Sequence, residues 1–576
     1  MQEIINAALE HQQAGRAVEA EQLWIQVLEA DFRHADAWHY RGVAAHVMGR
    51  NYDAVAFIER SLALQPENAQ ANYNLAVILG ELGDDEAAEA AYQRTLQQQP
   101  DFNSARHNLA NLLKPQGRLT EAIDCLQHDG KPRDESTQFL AGLANALKMA
   151  GRVDEAVEQF QTAMEAAPLD ARLHSQWLFA LQYDPRTDDE ELARLHRRWN
   201  ERHAPPDVSA VSSSRTHGGR LRIGFVSPDL GNHPVGIFML PLMQRLDPSV
   251  IHTVCYSDHK QADEFNAQLR PLAGLWRDVW HHSDDQLTAQ IAADEIDVLF
   301  DLAGHTDGNR LSVFARRAAP VQITWAGYVG GTGLATMDYL LCDRFHVPPE
   351  LESLMSEQPL RMPNGYIAFQ PPSYAPDVAE LPALSAGHVT FCAMNNVCKI
   401  NEQVVDVWAE LLQAVADSQL LLKYKGFDDP GVQARLRNQF ETRGVSPERI
   451  LLQGQTPHVD HLNAHNRVDI ALDPFPYSGG LTTCESLWMG VPVVTCPAAR
   501  FASRHSLSHM SNAGQTETIA RDRDDYIRIA IELARDLPRL QRLRQSLRSQ
   551  LSASPLCDLD QFAVDFTETV LSVVRG

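Results

Sequence analysis

The chain has 576 residues, enough for three or four folding units at ordinary domain sizes. Its formal net charge of −25 repels nucleic-acid phosphate and no long basic run offsets it, so no nucleic-acid partner is expected. No apolar run approaches the roughly 20 residues of a membrane span, Met1-Gln-Glu-Ile-Ile lacks the marks of a secretory signal, and eight scattered cysteines form no CxxC pair; a reduced, cytoplasmic setting without a membrane is the expectation.

The first third repeats itself. Gly15, Gly49, Gly83, Gly117 and Gly151 are spaced by 34 residues, and Ala20, Ala54, Ala88, Ala122 and Ala156 keep the same step. Each Gly ends one amphipathic helix and lets the chain reverse. Each Ala sits where two antiparallel helices cross too closely for a larger side chain. Trp24, Ile58, Tyr92, Leu126 and Phe160 follow four places later, and Pro66, Pro100 and Pro168 close three units. The pattern resembles five tetratricopeptide repeats over residues 1–170, the fourth degenerate around Gln127-His-Asp-Gly-Lys-Pro. Such solenoids present a concave groove to extended peptides, or mediate self-association. The sixth place of the repeats holds Asn6, Tyr40, Asn74, Asn108 and Gly142. An amide offers a donor and an acceptor to any peptide backbone, so Asn74 and Asn108 are candidate groove residues; the alternative is that they bond neighbouring helices.

Residues 171–219 read as a helical adaptor (Trp177, Leu178, Leu181, Leu192, Leu195, Trp199) and a linker rich in Pro, Ser and Gly from 204 to 219. Strand patterns then begin at Leu221, at 251–257, at 297–303 and at 321–326, with helical stretches between several of them. A second series starts at His388 and continues at Leu420, Arg449, Asp469 and Val491. This alternation predicts two doubly wound parallel lobes, 220–387 and 388–576. Ligands in such sheets bind beyond the C-terminal ends of the strands, so the chemistry belongs in the loops that follow them.

Four such segments stand out. Ser227-Pro-Asp-Leu-Gly-Asn-His-Pro carries His233, a histidine placed to take a proton or to bond a substrate hydroxyl. Asp301-Leu-Ala-Gly-His-Thr-Asp-Gly-Asn-Arg-Leu runs on to Ala319-Pro-Val-Gln-Ile-Thr-Trp-Ala-Gly-Tyr. Met394-Asn-Asn-Val-Cys-Lys offers Lys399 as a point charge for a diphosphate, with Asn395 and Asn396 beside it. Asp473-Pro-Phe-Pro-Tyr-Ser-Gly-Gly-Leu-Thr-Thr-Cys-Glu-Ser-Leu opens a helix through Gly479, Gly480, Leu481, Thr482 and Thr483. There, backbone N–H groups and the helix N-terminus suit an anion, and the threonines either cap the helix or bond phosphate. Asp-x-Asp triplets in the second half occur only in polar helical contexts, at Asp522 and Asp558, so no metal and no other cofactor is expected.

These segments, in this order, resemble the catalytic region of protein O-GlcNAc transferases and of the related SPINDLY-type O-fucosyltransferases, over about residues 220–570. The motifs that carry the resemblance are Gly-Asn-His-Pro, Gly-His-Thr…Asn-Arg-Leu, Ala-Pro-Val-Gln-Ile-Thr-Trp-x-Gly-Tyr, Met337-Asp-Tyr, Phe501-Ala-Ser-Arg and Thr-Thr-Cys-Glu-Ser-Leu. The resemblance implies a GT-B fold of two Rossmann-like lobes and inverting, metal-independent transfer of a sugar from a nucleotide sugar to Ser or Thr hydroxyls of proteins. It puts His233 on the active-site histidine, Lys399 on the diphosphate lysine, His461 on a histidine that packs against the base, and Glu485 on the ribose-binding acid. Thr482 and the Gly479-Gly480 pair fall on the phosphate turn. UDP-GlcNAc is the first donor implied. The turn Gly-Gly-Leu-Thr-Thr-Cys-Glu-Ser is nearer to the SPINDLY type, which keeps GDP-fucose as the alternative, and Val235-Gly-Ile stands where animal members have Thr-Ser-His. A catalytically silent peptide-binding scaffold is the reading from a different class. The short stretch between Tyr374 and Phe391 lacks the long insert of animal members and points to a bacterial type.

Overall fold

A computed structural model describes residues 1–128, 130–208, 219–259 and 263–575. Most of the linker expected at 204–219 lies outside the described residues. The chain forms two compact units, Met1–Ala146 and Leu147–Gly576.

The first unit is the helical array. Its helix pairs are Gln2–Gln13 with Ala17–Ala30, Ala35–Val47 with Asn51–Leu64, Ala69–Glu81 with Asp85–Gln98, and Asn103–Leu113 with Leu119–Leu126. Gly15, Gly49, Gly83 and Gly117 adopt φ between +73° and +81°, a left-handed turn that side-chain-bearing residues avoid. Ala20, Ala54, Ala88 and Ala122 have no exposed surface, and Trp24, Ile58, Tyr92 and Leu126 are buried beside them. The second helix of the fourth repeat has 8 residues where its predecessors have 14, and it ends in a two-strand hairpin, Gln127–His128 with Lys131–Pro132. The amide nitrogen of Asn74 lies 2.8 Å from His39 Nε2, and its oxygen accepts from Gln70 at 3.2 Å. Asn108 donates to the Tyr73 hydroxyl at 3.1 Å. The amide nitrogen of each of these candidate groove residues therefore bonds a neighbouring helix, the alternative left open by the sequence.

The second unit begins inside the helix Thr137–Met149, so the second helix of the fifth repeat, Val153–Ala166, belongs with the lobes and the array's compact unit stops short of residue 170. Contacts explain the shift: Arg435 Nη2 donates to Ala150 O at 2.6 Å, and Gly151 lies against Val397. The adaptor helices, Ala171–Leu181 and Asp189–His203, follow.

The first lobe holds seven parallel strands: β1 Leu221–Ser227, β2 Ile251–Ser257, β3 Leu275–Asp278, β4 Val298–Asp301, β5 Val321–Thr324, β6 Tyr339–Cys342 and β7 Gln358–Arg361. Their order is β3-β2-β1-β4-β5-β6-β7, with Ile223 of β1 opposite Thr253 of β2 and Val298 of β4. The second lobe has β8 Thr390–Ala393, β9 Gln419–Lys423, β10 Ile450–Gln453, β11 Ile470–Leu472 and β12 Val493–Val494, in the order β10-β9-β8-β11-β12. Both sheets reverse direction of growth beside their first strand, between β1 and β4 and between β8 and β11, which is where a parallel sheet opens a ligand crevice. Within the range 388–576, the last helix, Leu559–Arg575, leaves the second lobe. Its Phe562, Phe566 and Val570 join Phe225, Phe300 and Trp325 in the core of the first, because apolar residues at helical spacing there need a covered face.

Candidate active site

The loop after β11 is built around Asp473, a buried carboxylate. It accepts Gly479 N–H at 2.6 Å and Thr495 Oγ1 at 2.6 Å. Burial raises its pKa, while those bonds and Lys399 pull the other way. A Cβ on Gly479 would stand 2.4 Å from Thr483 Oγ1, so the turn needs glycine there. Gly480 caps the helix Leu481–Trp488 without a side-chain bond. Gly480 O accepts Thr483 N–H at 3.1 Å, and the N-terminal end of such a helix suits an anion.

The threonines are not equivalent. Thr482 Oγ1 accepts from Asn395 at 3.3 Å and stays half-buried at the turn. Thr483 is buried and shares a 2.8 Å bond with Ser506, which in turn donates to Gly479 O at 3.1 Å. Thr483 therefore braces the turn through its hydroxyl, and neither threonine side chain caps the helix. Leu481 packs on the first lobe's core.

Lys399 reaches this turn from the loop after β8. Its ammonium donates to Ser478 O at 2.7 Å and lies 3.8 Å from the centre of the Tyr477 ring, whose other stacking partner is Tyr183 at 4.9 Å. Burial lowers the Lys399 pKa to about 8, with Asp473 and Cys398 opposing. Asn396 Oδ1 accepts Cys398 N–H at 3.3 Å, so Asn396 shapes the turn that presents Lys399.

A second cluster lies one helix turn further on. Glu485 is buried, yet its pKa is held down to about 2: burial pushes it up, and the hydrogen bonds and charge of His458 and His461 outweigh that push. His458 Nε2 is 2.8 Å from Glu485 Oε1, and His461 Nε2 is 3.7 Å from Oε2. The bond to Glu485 raises the His458 pKa against the effect of its burial. The two imidazoles stack at 6.1 Å with planes 15° apart, and Tyr374 OH is 2.8 Å from His458 Nδ1. His458 and Tyr374 were missed in the sequence reading. The signal for His458 was its place one turn before His461, on the same helix face.

In the first lobe, His233 is exposed at the end of the β1 loop and caps the helix Pro234–Met243. Its Nδ1 accepts Val235 N–H at 3.3 Å and lies 3.7 Å from Asp229 Oδ2. Burial lowers its pKa and Asp229 raises it. Nδ1 faces both the Val235 N–H and the Asp229 carboxylate, which leaves Nε2 for a substrate, as a donor in one tautomer and as a proton acceptor in the other. A Cβ on Gly236 would stand 2.0 Å from Gly231 O, so the helix start is pressed onto the loop. His305, of the Gly-His-Thr segment, is fully buried between Ser175 Oγ at 2.9 Å and Thr332 O at 2.8 Å; it is a strut to the adaptor.

Behind the turn the lobes are joined. His346 Nε2 and His505 Nδ1 are 3.0 Å apart, Asp343 Oδ2 is 3.1 Å from His346 Nδ1, and His505 N–H donates to Ser478 Oγ at 3.1 Å.

Helical repeats followed by two parallel lobes with a glycine turn at a sheet reversal define a GT-B fold joined to a repeat solenoid. The sequence profile described as Glycosyl transferase family 41 matches residues 198–370 and 379–566, and tetratricopeptide-repeat profiles match 47–102 and 84–214. The chain belongs to glycosyl transferase family 41. A Solanum lycopersicum protein named probable UDP-N-acetylglucosamine–peptide N-acetylglucosaminyltransferase SPINDLY is 37% identical over 406 residues, which are 69% of this chain and 43% of that protein. An Arabidopsis thaliana protein with the same activity in its name, SEC, is 29% identical over 351 residues, 59% of this chain and 35% of that one. The chain spans less than half the length of these curated relatives. The solved structure of a mutant O-GlcNAc transferase from Thermobaculum terrenum is similar at a TM-score of 0.76 and 32% identity, over 94% of this chain and 97% of that one.

Proposed function

We propose that the chain transfers a sugar, GlcNAc from UDP-GlcNAc, to Ser or Thr hydroxyls of proteins, with inversion and without a metal. The observation that carries this reading is the Ser478–Thr482 turn with Lys399 bonded to it and the His458–Glu485–His461 cluster one helix turn away. A diphosphate accepts N–H bonds from the helix start and the Lys399 charge, while a ribose hydroxyl donates to the Glu485 carboxylate and a base packs on the His461 ring. Negative charge grows on the departing diphosphate in the transition state, and fixed positive groups there lower the barrier. His233, from the opposite lobe, takes the acceptor hydroxyl's proton as the oxygen attacks the anomeric carbon, or orients donor or acceptor. Protein acceptors enter by the repeat groove. The relatives whose printed names carry this activity support the reading.

Calorimetric titration with UDP, GDP and their sugar conjugates tests it. UDP selectivity is expected, with transfer to protein surviving a metal chelator. GDP selectivity would replace the donor with GDP-fucose, and binding of neither would leave a peptide-binding scaffold.

A further inference from the structure

Lys148 occupies the last turn of the helix Thr137–Met149. It is half-buried, with its Nζ 5.1 Å from the centre of the Phe179 ring and 6.0 Å from that of Phe160. Among the described residues its ammonium has no ion pair and no hydrogen bond. Aromatic faces offset only part of what withdrawing an ammonium from water costs. Burial accordingly lowers its pKa. Repeat packing does not demand a cation here: the 34-residue register puts Gln12, His46, Gly80 and Lys114 at the same place.

The surroundings point to a ligand. Two residues on, Ala150 O is held by Arg435 at 2.6 Å, and a Cβ on Gly151 would stand 2.9 Å from Val397 O. Val397 opens the short turn that ends in Lys399. Asp307, in the loop after β4, raises the Lys148 pKa by its charge; Cys398, in that same turn, is a thiol that burial keeps protonated. Lys148 thus stands over Phe179 of the adaptor helix whose Gln176 bonds Asp307 of the β4 loop at 3.5 Å, three residues before the Gly151 that meets the turn presenting Lys399.

We propose that Lys148 is a further substrate-binding residue, whose ammonium takes an anionic oxygen in the crevice. The inference rests on the transferase reading above. Two sources share this chemistry: the donor's diphosphate and a carboxylate side chain beside the acceptor hydroxyl.

The test uses the full chain with Lys148→Met, which keeps the apolar stem over the rings and removes the charge, and Lys148→Arg, which restores a cation. UDP affinity is measured by calorimetry. KM is measured for two acceptor peptides that differ only in a Glu or Gln next to the serine. About a tenfold loss, the scale of one charge-assisted bond, is expected in one of the two, with most of it recovered by Lys148→Arg. Weaker UDP binding assigns the diphosphate; a KM rise confined to the Glu peptide assigns the carboxylate. Wild-type values throughout for a stable Lys148→Met would overturn the inference. So would an equal fall in melting temperature, UDP binding and both peptides for Met and Arg alike, which marks a structural residue. Wild-type protein that binds no nucleotide sinks the transferase reading first, and this inference with it.

Discussion

Lys399 is the residue whose environment sets a measurable pH dependence. Burial brings its pKa to about 8, far below an ordinary lysine. Below that value the ammonium is charged and meets a diphosphate; as pH rises through it the charge is lost. UDP affinity measured between about pH 6 and 10 should therefore fall above about 8, by roughly tenfold per unit. Lys399→Arg, whose group stays charged, should flatten the fall, and Lys399→Ala should cost about 10² to 10³ in transfer rate while remaining folded. A flat wild-type profile, or normal turnover by Lys399→Ala, would remove Lys399 from the site. The Glu485 carboxylate adds no limb in this range, because the two histidines keep it ionised down to about 2.

At the scale of single elements, the same substitution has opposite consequences at two helical glycines. Gly236 lies in the first turn of Pro234–Met243, where a Cβ would stand 2.0 Å from Gly231 O, a backbone atom that cannot swing aside. Gly236→Ala must push the helix start off the loop that carries His233. Overpacking of this kind costs about 1–3 kcal/mol, and turnover should fall with it. Gly80 lies in the last turn of the helix Ala69–Glu81, where a Cβ would meet only Ala88 Cβ at 3.9 Å, an ordinary contact. Gly80→Ala narrows the unfolded ensemble and should stabilise by about 0.5–1 kcal/mol without touching turnover. Denaturant midpoints for the two variants check both signs; a stabilised Gly236→Ala or a destabilised Gly80→Ala would contradict the packing described.

For the molecule as a whole, Arg500 is the tie between the adaptor and the second lobe. Its buried guanidinium donates to Leu181 O at 3.1 Å, Gln182 O at 2.9 Å and Thr187 O at 2.5 Å, and pairs with Asp189 at 3.0 Å. Removing it strands these acceptors in a site with little access to water, which costs about 3 kcal/mol. Arg500→Met should lower the melting temperature and speed amide exchange across 171–203 ahead of the lobes. An unchanged exchange pattern would mean that the adaptor is held by its apolar contacts alone.

The sequence by itself determined whatever depends on a periodic or local rule. The 34-residue step of Gly and Ala located the repeats because a left-handed turn admits few residues besides glycine and a close helix crossing admits little more than alanine. Strands β1, β2, β4 and β5 and all five of the second lobe were legible as short apolar runs. Strands β3 and β7 were not: Leu275-Trp-Arg-Asp and Gln358-Pro-Leu-Arg are sheet edges, where one side needs no partner and polar residues or proline are tolerated. Strand β6 was missed although Leu340, Leu341 and Cys342 are buried, its short run being read only as part of a motif. The place of His233, Lys399 and the glycine turn in loops after strand ends was legible because each follows a short apolar run. What only tertiary structure decided is what each polar group faces: that Thr483 turns inward to Ser506, that His458 joins His461 on Glu485, and that Asn74 and Asn108 bond their own solenoid. It also decided that the final helix crosses back to the first lobe. Such pairings join residues from 23 to more than 300 positions apart, and no local rule on backbone angle or periodicity carries that information.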